Sequence, residues 1–100
     1  MLVGCSLGNV ADMASDRQNL VLDAIKKVAP GGVIRTPIKW NPGNPIPWSK
    51  YESFATRVKN HNLIWVADVH TAIVGGGEYA DPGPSWSAKC KEVANWIKNR

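Results

Sequence analysis

The chain has 100 residues, 44% hydrophobic and 20% charged, which suits one globular domain and excludes a disordered tail, a collagen-like repeat and a coiled coil. The net charge of +4 comes from 12 basic and 8 acidic side chains spread along the sequence, with no Lys/Arg run dense enough to neutralise a stretch of phosphates, so no nucleic-acid partner is indicated. Cys5 and Cys90 are too few for a disulfide scaffold, no stretch approaches the ~20 apolar residues of a membrane span, and Met1-Leu2-Val3-Gly4 opens no secretory leader; the expectation is a soluble α/β or α+β domain with no membrane partner.

Three short apolar runs read as strands, Leu2–Leu7, Val33–Ile38 and Leu63–Val69. Their hydrophobicity is nearly continuous, which predicts strands covered on both faces of a parallel sheet. A helical pattern follows each run. Val21, Ala24, Ile25 and Val28 fall at i, i+3, i+4 and i+7, and Pro30-Gly31-Gly32 stops that helix. Ser49 and Glu52 carry the S-x-x-E spacing of a capping box, and Tyr51, Phe54, Ala55 and Val58 form the apolar stripe behind it. In the third helix Ser85 is the expected N-cap, and Trp86, Cys90, Val93 and Ile97 make the stripe. A Cys5–Cys90 link stays open, although a strand cysteine and a cysteine on a helix's apolar face read more simply as two buried thiols.

The order β-α-β-α-β-α implies right-handed crossovers and an α/β fold of three consecutive βα units with parallel strands over residues 1–100. Successive strand starts at Leu2, Val33 and Leu63 recur every ~30 residues, the length a (β/α)8 barrel spends per unit. Helix-to-strand turns are short, whereas the strand-to-helix loops around Ser6–Asp12, Lys39–Trp48 and His70–Pro84 are long. Parallel α/β folds place their chemistry at that C-terminal strand edge. Three units do not close a barrel, so open sheet edges are expected, with self-association or a complementary barrel fragment to cover them.

Arg35 lies inside the second strand, where a charged side chain must be paired or must serve a site. Pro37 has no N–H for a ladder bond, which ends the regular strand there and leaves Arg35 near the functional edge. Asp68 and His70 close the third strand at two-residue spacing, hence on one strand face, where Asp68 meets Arg35 if the two strands are in register. Two further readings stand beside a site role: a structural Arg35–Asp68 pair with His70 a bystander, and a D-x-H metal site, which lacks a recognisable third ligand. No cofactor is indicated: G-x-G-x-x-G does not follow the first strand, and Gly4-Cys5-Ser6-Leu7-Gly8-Asn9 lacks a P-loop ending. The loops Asn41-Pro42-Gly43-Asn44-Pro45 and Gly75-Gly76-Gly77 read as stiffened, close-approaching turns or as plain connections. Five tryptophans stand against one phenylalanine. Trp40, Trp48 and Trp86 fall near the long-loop edge, where indole faces stack on sugar rings; the alternative is that Trp65 and Trp96 fill the core and the others fold over it.

Two segments carry a family likeness. Val33-Ile34-Arg35-Thr36-Pro37-Ile38-Lys39-Trp40 resembles the second-strand V-R-I-P-I-x-W segment of family-5 glycoside hydrolases, the cellulase and β-glucanase group. Val66-Ala67-Asp68-Val69-His70-Thr71-Ala72, with its glycine-rich continuation, resembles their third strand, V-I-I-D-L-H-x-x-P-G-G. The likeness spans this whole chain and the first three βα units of the family's barrel. It implies a partial TIM-barrel-like piece from enzymes that act on β-linked poly- or oligosaccharides by a retaining mechanism. An arginine like Arg35 then orients the nucleophilic carboxylate, and a histidine like His70 contacts the sugar. Asp68, Trp40, Trp48 and Trp86 complete the expected sugar-binding set. Retaining chemistry needs two carboxyl groups about 5–5.5 Å apart. The family supplies them from its fourth and seventh strands, so this polypeptide is expected to be inactive alone. A non-catalytic carbohydrate-binding or assembly module is the alternative, and a small nucleotide-binding open-sheet domain a weaker one.

Overall fold

A computed structural model describes residues 4–6, 10–40, 44–71 and 86–99, with side chains for all of these except Cys5, His70 and Thr71. The elements are β1 (Gly4–Ser6), a 3-10 turn (Val10–Asp12), α1 (Ser15–Val28), β2 (Val33–Trp40), α2 (Trp48–Asn60), β3 (Ile64–Thr71) and α3 (Trp86–Lys98). This is an α/β chain in the order that the sequence pattern predicts.

The sheet has the order β1-β2-β3. β1 and β2 run parallel, pairing Gly4 with Val33, Cys5 with Ile34 and Ser6 with Arg35. On the other side of β2, the Ile64 N–H donates to Gly32 O at 2.9 Å, and farther along Arg35 Nε stands 3.7 Å from Asp68 Oδ1. Both chains advance in the same sense between those points, so β3 is parallel to β2.

The chain divides into two compact units, one formed by Met1–Ile38 with Pro47–Asp68 and the other by Lys39–Ile46 with Val69–Arg100. In the first, Ile34, Thr36 and Ile38 are buried along β2, and Tyr51, Phe54 and Val58 along α2. Trp65 of β3 joins them, edge-on to Phe54 at 4.9 Å and tilted against Tyr51 at 6.1 Å, while its indole N–H donates to Thr36 O at 3.0 Å. α1 packs on α2 and on the 3-10 turn, with Leu22 fully enclosed. Full burial of a Leu, Ile or Phe side chain contributes about 1.5–3 kcal/mol, so this cluster holds the unit together. In the second unit Trp40 stacks on Trp86, centroids 5.6 Å apart and planes 25° from parallel, and Val93 is the buried residue of α3.

Both helix-to-strand turns use left-handed backbone. Gly31 adopts φ 70° between α1 and β2. After α2, Asn62 at φ 56° sits between two bonds, Asn62 N–H to Lys59 O at 2.9 Å and Leu63 N–H to Val58 O at 3.1 Å. That is a Schellman ending with asparagine in the place glycine usually takes.

Several expectations are corrected. β2 does not stop at Pro37 but continues to Trp40. The Ile64–Gly32 bond assigns even-numbered β2 residues to β3 and odd ones to β1, and β1 as described ends opposite Arg35, so Pro37 lacks a donor where none is required. The strands are not covered on both faces: Ile64 and Val66 are each 48% exposed. On α1 the inward stripe is Gln18, Leu22 and, half-buried, Val21 and Ile25, whereas Ala24 faces out and Val28 is 84% exposed. The capping box does not form, because α2 begins one residue earlier at Trp48 with Pro47 as N-cap and no side-chain cap bond. On α3, Ile97 is exposed rather than part of the stripe, and Cys90 is a free, half-buried thiol. Ser85 and the Cys5 side chain lie outside the described residues.

Candidate functional site

Alternation along the strands sorts the first unit's side chains onto two faces. One face carries Ile34, Thr36, Ile38 and Trp65 beneath α2. The other carries Ser6, Arg35, Ile64, Val66 and Asp68, all exposed or half-buried. Parallel register sets Arg35 and Asp68 side by side there, as the spacing predicts.

Their separation of 3.7 Å makes an ion pair and is too long for a hydrogen bond. The side chains are 61% and 37% exposed, so solvent screens the attraction to below about 1 kcal/mol. Arg35 meets Asp68 through Nε, which leaves the two terminal nitrogens of its guanidinium, a planar fork suited to carboxylates and to vicinal hydroxyls, directed past the pair.

The remaining predicted site residues are dispersed. His70 falls within β3, and its side chain lies outside the described residues. Trp40 is 4% exposed and stacked on Trp86, so neither of its faces is open to a sugar ring. Trp86 is half-buried. Trp48 opens α2 and meets Tyr51 edge-on at 6.4 Å. A hollow of about 470 Å³ in the first unit lies away from Arg35, against Asp23, Lys26, Lys27 and Pro30 at the C-terminal end of α1. Among the described residues no group of three His, Cys, Asp or Glu side chains converges, and no helix is long and apolar enough to cross a membrane.

Three polar clusters escape the sequence reading. Gln18 is buried on α1; its Nε2 donates to Ala11 O at 3.2 Å and Met13 O at 2.9 Å, and its Oε1 accepts from Arg57 Nη1 at 3.1 Å. Arg57 also donates to Ser15 Oγ at 2.7 Å, so one amide and one guanidinium tie the 3-10 turn, α1 and α2 together. His61 places Nδ1 2.6 Å from Arg57 O and Nε2 2.9 Å from Asp23 Oδ1, which occupies both ring nitrogens and makes it a clasp rather than a base. Lys50 pairs with Asp12 and lies 5.0 Å over the Tyr51 ring. Burial pulls its pKa down, but the Asp12 carboxylate and Tyr51 outweigh that, and the net shift is upward. These contacts join residues 38 to 42 positions apart, and no local spacing announces them.

Comparisons with protein-family models, with curated proteins and with solved structures return no match.

Proposed function

We propose that this chain is a saccharide-binding piece of a glycoside-hydrolase-like barrel that carries supporting residues of the sugar site without its catalytic carboxylates. The observation that supports this reading most is Arg35 beside Asp68 on neighbouring parallel strands, on the face free of α2, with the guanidinium fork exposed. Such a pair donates to and accepts from adjacent sugar hydroxyls without carrying net charge. Trp86 and Trp48 offer the aromatic surface, Trp40 supports Trp86 from behind, and His70 follows Asp68 by one strand repeat. A complementary barrel fragment is the partner that would add the missing carboxylates.

Titration with soluble β-glucan or a cello-oligosaccharide, followed by tryptophan fluorescence and calorimetry, tests the reading. Saturable binding weakened at least about tenfold by Arg35→Ala, a loss of about 1.4 kcal/mol, is expected, with no hydrolysis of chromogenic β-glucosides. Absence of binding up to millimolar sugar overturns it. Hydrolysis that copurifies with the chain and disappears in His70→Ala overturns the non-catalytic part.

A further inference from the structure

The face bearing Arg35 has a symmetry of its own, independent of the saccharide reading. Its half near the strand starts is apolar, with Val33 half-buried and Ile64 and Val66 half-exposed. Its other half holds one cation and one anion on adjacent strands, Arg35 and Asp68, level with Ser6 of β1. A two-fold contact requires that residue i of one copy meet j of the other while j meets i. An axis parallel to the strands and midway between β2 and β3 satisfies this. It lays each Arg35 over the partner's Asp68, and lays Ile64 and Val66 of each copy over the partner's Val33. Sheets stacked face to face stand about 10 Å apart, the distance at which such side chains interdigitate.

We propose that the β2–β3 face is a weak homodimer interface in which two copies stack sheet on sheet, with reciprocal Arg35–Asp68 pairs beside an apolar strip. Three strands about 4.8 Å apart and some five residues long cover on the order of 240 Å². A standard interface buries about 800 Å² per partner, so the dimer belongs to the transient class and forms at high micromolar concentration. Because it covers Arg35, dimerisation competes with any ligand that uses the same guanidinium.

Sedimentation velocity on the full chain from about 10 µM to about 1 mM is the test, with circular dichroism to verify folding of each variant. The wild type is expected to pass from monomer to dimer across that range. Val66→Glu, at a half-exposed position, raises the dissociation constant at least tenfold. Arg35→Asp does the same by facing acid with acid, and the double variant Arg35→Asp/Asp68→Arg restores association because the reciprocal pairing returns with its signs exchanged. A monomer throughout the range, whatever else binds that face, overturns the proposal. So does a dimer indifferent to Val66→Glu, or a double variant no tighter than Arg35→Asp alone.

Discussion

Thr36 is the side chain whose replacement says most about how this core is held. It is 1% exposed on the α2-covered face of β2, and its Oγ1 has no hydrogen-bond partner among the described residues. Its carbonyl is the group that is used, accepting from the Trp65 indole. A buried hydroxyl without a partner forfeits its hydration, a penalty of about 1–3 kcal/mol. Valine has nearly the same shape, keeps the β-branched preference for strands, leaves the backbone bond to Trp65 intact and removes the penalty. Thr36→Val is therefore expected to stabilise the protein by about 1 kcal/mol, the lower end of that range because the surrounding side chains relax. The complementary change Thr36→Ser keeps the hydroxyl and deletes a buried methyl group. It should lose about 1 kcal/mol, from the lost transfer energy and the small cavity left behind. Urea unfolding separates the two, with midpoints moving in opposite directions at unchanged slope. In thermal melts a gain of about 1 kcal/mol appears as a rise of roughly 4–8 °C for a domain of this size. If Thr36→Val melts lower than the wild type, the hydroxyl is satisfied and the reasoning fails.

Gln18→Leu, which fills the same space without polar atoms, should destabilise by about 2–3 kcal/mol, because Ala11 O, Met13 O and Arg57 lose partners at a buried site; denaturant titration reads the loss. Asn62→Val should lose at least about 1 kcal/mol, since a β-branched residue is strained at φ 56°, while Asn62→Gly should be neutral within a few tenths; thermal melts decide. The upward shift of Lys50 means that its contribution is complete below its ordinary pKa of 10.5 and is lost as pH climbs through the higher folded value. Stability measured between about pH 9 and 12 should therefore fall less steeply in Lys50→Met than in the wild type.

The order of elements and the parallel sheet were legible because hydrophobic period and turn residues act locally. Tyr51, Phe54 and Val58 fall inward at their expected spacing because α2 lies directly on the sheet, where an apolar stripe decides orientation. α1 was misread for the same reason in reverse. It packs on α2 and the 3-10 turn, and Gln18 takes an inward position that a hydropathy count assigns to an apolar residue. The missing capping box shows a one-residue shift in helix start overriding a motif, with proline at the N-cap instead. Continuous apolarity in β3 suggested two covered faces, whereas Ile64 and Val66 are half exposed; composition does not reveal whether a second layer exists. Of the site, the Arg35–Asp68 adjacency followed from parallel register. The fate of Trp40 did not, since an indole that covers a core and one that faces a ligand look alike in sequence.

The stacked indoles of Trp40 and Trp86 give the second unit an optical signature of its own. Two rings 5.6 Å apart and 25° from parallel couple their electronic transitions and should produce a paired positive and negative band in the ultraviolet circular dichroism. Trp65, hydrogen-bonded to Thr36 and set against Phe54, reports on the first unit through its emission instead. Following both signals through one melt shows directly whether the two units come apart together or in sequence.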